Sequence, residues 1–299
     1  MRNAFIEELI RAAEVSEKIA LVVGDLGYGV VEPFAKRFPK QFFNAGVAEQ
    51  NMMGLSAGLA SEGYQVFAYS IANFPTFRCA EQIRNDVDYH QLPVTIVAVG
   101  GGLAYGNLGY SHHAVQDYGL MRLFPNMLIA APGDPMEVRA CMRYIVQNPQ
   151  PSYLRLGKAG EKNIHEVIPE ISPGQWLSVS EGEVGAGTYL TTGTVLENTK
   201  NFFDKELKDL GWSLNSMPLW GMKFKTSQDK NFEKYSSVYT VEDHLGDGGF
   251  GSWLMESVSS NKDALMKINV RSLDAKVCGM VASQSTLFNE GGLNLLDYL

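Results

Sequence analysis

The sequence predicts an α/β protein of two doubly wound domains, the first built on a mostly parallel sheet and the second a smaller α/β unit. Three observations carry that prediction. Short β-branched or aromatic runs alternate with helix-length stretches from Ile19 onward. The alternation dissolves near Gly157 to Pro173, where Lys158, Gly160, Lys162, His165 and two prolines read as a surface linker. It then resumes in a shorter second unit. The expected boundaries are 1–160 for the first domain, 161–177 for the linker and 178–299 for the second domain.

In the first unit, Ile19 to Val23, Gln41 to Asn44, Tyr64 to Tyr69, Val94 to Val99 and Met127 to Ala130 read as strands. In open α/β sheets functional groups gather beyond the carboxyl ends of the strands, and Asp25, Asn73 and Gly100 fall at such ends. Between the second and third runs a helix is expected from Ala48 to Ser61. Its Gly54 and Gly58 lie four apart with Ala57 beside them, so another backbone could approach that face closely. The second unit reads as strands near Thr188 to Thr192, Trp212 to Met217, Ser237 to Val241 and Met266 to Val270, with a helix near Val195 to Leu210. The sequence shows no internal repeat.

Composition narrows the function classes. With 299 residues and 45% hydrophobic content the chain can bury two ordinary cores. Its 25 basic against 33 acidic residues give a net charge of −8, which disfavours nucleic acid or an anionic membrane as the main partner. Cys79, Cys141 and Cys278 are odd in number and show no Cys-x-x-Cys spacing, so they read as reduced core thiols of a cytoplasmic protein. Glu7 and Glu8 interrupt the apolar N-terminal positions, and no segment reaches membrane-spanning length, so neither export nor membrane insertion is expected.

The run from Phe42 to Ala60 places one carboxylate, Glu49, among small and apolar residues. Burial there disfavours a carboxyl group's charged form, which marks Glu49 as a candidate acid–base group. The stretch Asn44-Ala45-Gly46-Val47-Ala48-Glu49 resembles the transketolase signature, whose glutamate protonates the aminopyrimidine ring of thiamine diphosphate. Downstream, Ile71, Phe74 and Phe77 are spaced three apart, on one helical stripe if the helix starts early. The resemblance implies that Phe74 and Phe77 form the aromatic wall for that ring. Ile71 stands where transketolases commonly have an aromatic residue. Asp25, in a glycine-flanked turn, matches an acidic residue near the cofactor and subunit interface.

A glycine-rich loop, Gly100 to Gly109, ends in Ser111-His112-His113. It fails the dinucleotide fingerprint, because Tyr105 occupies the third glycine's position. The segment from Ser111 to Asn126 is similar, without gaps, to the transketolase segment that begins Thr-His-Gln. That similarity implies His112 as the substrate-facing histidine, able to relay protons near neutrality, with His113 a weaker candidate. Full-length transketolases carry His-Asp-Ser where this chain has Gly100, Gly101 and Gly102, and acidic residues near Asn107 and Leu108. The implied substrate is therefore not the usual one. Arg155, at the end of the last first-domain strand, is a candidate phosphate ligand.

The resemblance covers a transketolase's pyrimidine-binding and C-terminal domains but not its diphosphate-binding domain. It implies one subunit of a split enzyme that transfers a two-carbon ketol unit from a ketose (phosphate) donor to an aldose acceptor. A partner chain would supply most of the Mg2+ or Ca2+ and diphosphate ligands, in an α2β2 assembly. Three alternatives stand beside it. One is the β subunit of a 2-oxoacid dehydrogenase, whose sequences differ around the glutamate. Another is a serine hydrolase using Ser56, from Gly54-Leu55-Ser56-Ala57-Gly58, with His244. The third is a non-catalytic scaffold. Gly246-Asp247-Gly248 resembles the start of a thiamine diphosphate motif, but Asn269 comes too early for it, so the segment reads as structural.

Overall fold

A computed structural model describes residues 1–298, and of residues 226, 227, 297 and 298 the backbone alone. The apolar runs of the first unit become β1 (Ile19–Val23), β2 (Phe42–Asn44), β3 (Gln65–Ile71), β4 (Val94–Val99), β5 (Leu128–Ala130) and β6 (Ser152–Leu156), all parallel. Continuous apolar runs form these strands because helices cover both sheet faces. On one face Leu21, Phe67, Val97 and Leu154 pack under Phe5 and Leu9 of α1 (Arg2–Val15), Phe34 of α2 (Glu32–Arg37) and Val138 of the later helix 135–147. On the other face Ala20, Val22, Ala68 and Ile96 pack under Met52, Met53 and Ala57 of α3 (Glu49–Ser61). The short α4 (Asn73–Phe77) and α5 (Ala80–Gln82), α6 (Asp117–Met121) and α7 (Pro135–Gln147) complete the unit.

The second sheet contains β7 (Leu177–Ser180), β8 (Thr188–Thr191), β9 (Ser213–Ser216), β11 (Val238–Leu245) and β12 (Ile268–Leu273), in the order β12-β11-β8-β9-β7 with only β7 antiparallel. Around it lie α8 (Leu196–Glu206), α9 (Phe250–Ser257), α10 (Lys262–Met266) and α11 (Gln284–Glu290). The two-residue β10 (Leu219–Trp220) crosses back and pairs antiparallel with β5, extending the first sheet to seven strands. Sequence patterning did not reveal this crossing, because two residues carry no period. Among the described residues no helix is long and apolar enough to cross a membrane.

Segment 157–173 is tied down more firmly than a surface linker. The Ile164 and His165 N–H groups donate to the buried Asp134 carboxylate at 2.7 and 2.8 Å, and the His165 ring contacts the same oxygen. Burial opposes charge on the imidazole, but Asp134 and Glu137 outweigh it and raise the His165 pKa.

Buried cations join the two units, Arg155 most deeply. Arg155, 2% exposed at the end of β6, donates from Nε to Asp117 Oδ2 at 2.7 Å and from Nη1 to Asp243 Oδ1 of β11. Its other donors reach the Tyr118 hydroxyl and the Ala114 and Asp243 carbonyls. Burial opposes the charge, yet the two carboxylates more than offset it and hold the guanidinium protonated. Glycines make the room: a Cβ on Gly101 would lie 2.5 Å from Arg155 Nε, and one on Gly102 1.9 Å from Asp243 Oδ2.

Removing one partner from such a group leaves a buried charge uncompensated. Asp243→Ala is therefore expected to lower unfolding stability by about 3–5 kcal/mol, whereas breaking the exposed Lys200–Asp204 pair should cost under about 0.5 kcal/mol. Urea denaturation of the two variants checks the contrast, and equal midpoints contradict it.

Candidate active site

The carboxyl ends of β1 to β4 bring four segments together. After β1, Asp25 adopts a left-handed backbone (φ 54°), and its Oδ1 accepts from Asn44 Nδ2 at 2.9 Å and from the Tyr28 hydroxyl at 3.3 Å. Asn44, ending β2, also accepts from the Gly46 N–H at 2.9 Å, which turns the chain into α3. Glu49 is thereby the first residue of that helix, where the N-terminal partial charge favours a carboxylate.

Glu49 is 6% exposed, and its Oε1 accepts from Arg78 Nη1 at 3.0 Å. No described residue donates to Oε2. The carboxylate lines an open pocket of 400 Å³ with Ala48, Gln50, Asn51 and Arg78. Arg78 was missed as a site residue. Its signal was the spacing, because Phe74 and Arg78 are four apart, and the guanidinium sits 4.5 Å from the Phe74 ring centre. Behind the carboxylate, Cys79 is buried and its thiol is pushed up to about 12, by desolvation first and by Glu49's charge second. It is a core thiol with little tendency to ionise.

An adjoining pocket of 340 Å³, sharing Arg78, is lined by Phe74, Phe77, Tyr110, Ser111 and Gln116. The aromatic stripe holds only in part. Ile71 does not share it, because β3 continues through that residue and the helix starts at Asn73. Phe74 is half-buried, and Phe77 is 42% exposed. Asn73 fastens α4 to the glycine-rich loop, donating from Nδ2 to the Ser111 and His113 carbonyls, both at 3.0 Å.

The two histidines divide. The His112 ring packs edge-on to Phe74 at 5.3 Å and to Tyr105 at 6.2 Å, and its Nδ1 pairs with Ser111 Oγ at 3.0 Å, while among the described residues nothing pairs with Nε2. His113 is 1% exposed with Nε2 on the Gly106 carbonyl at 3.1 Å, so its ring braces the loop while also lining the 340 Å³ pocket. Arg155 is likewise unavailable to a phosphate, because Asp117, Asp243 and two carbonyls occupy its donors. The loop glycines serve internal packing. A Cβ on Gly100 would strike the Tyr105 ring at 2.0 Å, and one on Gly106 would strike Leu287 at 2.4 Å.

The hydrolase reading fails on geometry. Ser56 lies inside α3, fully buried, with Oγ donating to the Met52 carbonyl at 2.7 Å. His244 is buried in β11, stacked on Tyr118 at 5.2 Å, and its Nε2 accepts from the Gly119 N–H. The Gly246-Asp247-Gly248 turn leads into Gly249, whose carbonyl accepts from Arg122 at 2.9 Å, so this segment packs the second unit onto the first. Among the described residues no group of three His, Cys, Asp or Glu side chains is placed to hold a metal ion.

Comparison with known proteins gives concordant matches. The family model for the transketolase pyrimidine-binding domain matches residues 1–160. An apulose-4-phosphate transketolase subunit of Phocaeicola vulgatus is 32% identical over 268 residues, covering 87% of this chain and 84% of that protein. A protein of Methanocaldococcus jannaschii named as a transketolase C-terminal section is 35% identical over 272 residues, 87% and 82% of the two chains. The 1-deoxy-D-xylulose-5-phosphate synthase of Aquifex aeolicus is 33% identical over 276 residues, which span 42% of its length. A solved split-gene transketolase, described as an inactive β4 tetramer, superposes with a TM-score of 0.85 at 29% identity, covering 99% of this chain and 94% of that one.

Burial, and to a lesser degree His113, lower the His112 pKa below 6.5. The ring should therefore be neutral at pH 7 and able to accept a proton. A titration of its ring proton by NMR is expected to show a midpoint under 6.5, and a midpoint above that contradicts this environment.

Proposed function

The chain belongs to the transketolase family, spanning its pyrimidine-binding and C-terminal domains, and from that premise we propose that it is one subunit of a split ketol-transferring enzyme. The proposed reaction moves a two-carbon ketol unit from a ketose or ketose phosphate to an aldose. It requires a second chain that carries the diphosphate-binding domain and most ligands of a Mg2+ or Ca2+ ion, in a cytoplasmic α2β2 assembly. Within this chain we assign 1–160 to the pyrimidine-binding domain, 161–177 to the linker and 178–299 to the C-terminal domain.

The family implies thiamine diphosphate, and the residues present fit one end of it. The single observation that carries the proposal is Glu49: a carboxylate 6% exposed, with one oxygen on Arg78 and the other without a protein donor, at the mouth of an open pocket. A ring nitrogen would satisfy that oxygen, and Phe74 and Phe77 offer an apolar wall beside it. When bound, the cofactor supplies the carbon nucleophile that carries the ketol unit. Glu49 then holds and exchanges a proton at Oε2, with Arg78 fixing its orientation. His112, neutral and held through Nδ1, takes or returns a substrate hydroxyl proton at Nε2. Asp25 and Asn44 brace the loop that delivers Glu49. Helix α3 turns Gln50, Gly54 and Gly58 outward, and a Cβ on either glycine would meet nothing within 4 Å. That open face suits a helix of another chain.

The test is reconstitution with the partner chain. This chain alone should neither turn over ketoses nor retain thiamine diphosphate. The complex should do both, and Glu49→Gln should lower kcat about 10²–10⁴-fold. Full activity of the isolated chain contradicts the split reading, and near-normal turnover by Glu49→Gln contradicts the role of that carboxylate. Release of CO2 from pyruvate, or formation of 1-deoxy-D-xylulose 5-phosphate, in place of ketol transfer would favour the dehydrogenase or the synthase reaction.

A further inference from the structure

We propose that the second unit carries a separate binding site for a neutral, hydroxyl-rich ring, an unphosphorylated sugar, in a 460 Å³ pocket on the β7–β9 edge of its sheet. This goes beyond ketol transfer and does not depend on it. The pocket is walled by the loops that precede β8 and β11, while Thr194 and Asp243, beyond or near the other ends of those strands, face Arg155 and the first unit. It therefore lies at the opposite end of the sheet from the junction with the first unit.

Two buried polar groups point to a ligand. Asn215 and Ser213, two apart on β9 and so on one sheet face, are 4% and 6% exposed and line the pocket. Both Asn215 amide hydrogens are used, on Thr188 Oγ1 at 2.9 Å and on the Tyr235 hydroxyl at 3.2 Å, which fixes the amide with Oδ1 left over. Among the described residues neither Asn215 Oδ1 nor Ser213 Oγ has a hydrogen-bond partner. Both atoms open onto the pocket, so a ligand hydroxyl can take the place of solvent at each.

The wall favours a ring. Trp176 and Tyr235 lie parallel, 5.8 Å apart and 9° from coplanar, and Trp176 is held by its Nε1 donating to the buried Gln228 at 2.8 Å. Such a rigid aromatic surface suits the C–H face of a sugar. The rim sets the charge. Glu181 and Glu183 outnumber Lys234, so a phosphate dianion is repelled, while the carboxylates accept from hydroxyl donors.

Saturation-transfer NMR on the purified chain tests the site, using D-ribose, D-xylose and D-glucose beside D-ribose 5-phosphate. At least one free sugar should show transfer at millimolar concentration and the phosphate none. Ser213→Val combined with Glu183→Ala, both away from the junction and checked for an unchanged melting temperature, should weaken binding by about tenfold or more. Absence of transfer from every free sugar, equal transfer from the phosphate, or unchanged binding in the double variant overturns the proposal.

Discussion

The arrangement of the site depends on one buried guanidinium. Arg155 stands at the end of a first-sheet strand and is held between Asp117 of its own unit and Asp243 of the second. With side-chain exposures of 1%, 0% and 0%, these three charges are stable only together. Gly101 and Gly102 pass over them because nothing larger than hydrogen fits, so the loop's course follows from the ion cluster. That loop then carries Ser111 and His112 to α4, where Asn73 pins it and Phe74 meets the imidazole. Specificity of domain placement, more than net stability, is the expected benefit of such a cluster.

Much of the fold was legible because buried parallel strands leave a strong local trace. Val94 to Val99 is apolar in all but Thr95, and its bounds match β4 residue for residue. The family assignment was legible from the residues around Glu49 and Ser111 to Asn126, and the domain comparisons support it. Side-chain fates were harder. Arg155 has the same neighbours in sequence whether it meets solvent or two carboxylates, and Asp243 is 88 residues away. His112 and His113 are adjacent and chemically identical, yet a 3₁₀ turn over Tyr110–His112 directs one ring toward Phe74 and the other into the loop. Ile71 was assigned to a helical stripe because periodicity alone did not reveal that β3 runs on through that residue.

Two glutamates whose carboxylates lie against helix starts, Glu49 within α3 and Glu242 on β11 beside α9, differ in what completes them. Glu242 is satisfied within the chain, accepting from the Phe250 and Gly251 N–H groups at 2.6 and 2.8 Å and fixing the start of α9. Glu49, the first residue of α3, has among the described residues only Arg78 as a side-chain donor, and Arg78 is 53% exposed. The first is structural by its partners. The second opens onto a pocket shared with Ala48, Gln50, Asn51 and Arg78, and an open, half-paired carboxylate is an arrangement that suits a ligand-binding acid.

The most direct measurement is a structure of the two-chain complex with thiamine diphosphate bound. A Glu49 carboxylate oxygen should lie about 2.6–3.2 Å from a nitrogen of the aminopyrimidine ring. A coenzyme held wholly by the other chain, with the Glu49 side chain turned to water, would contradict this assignment.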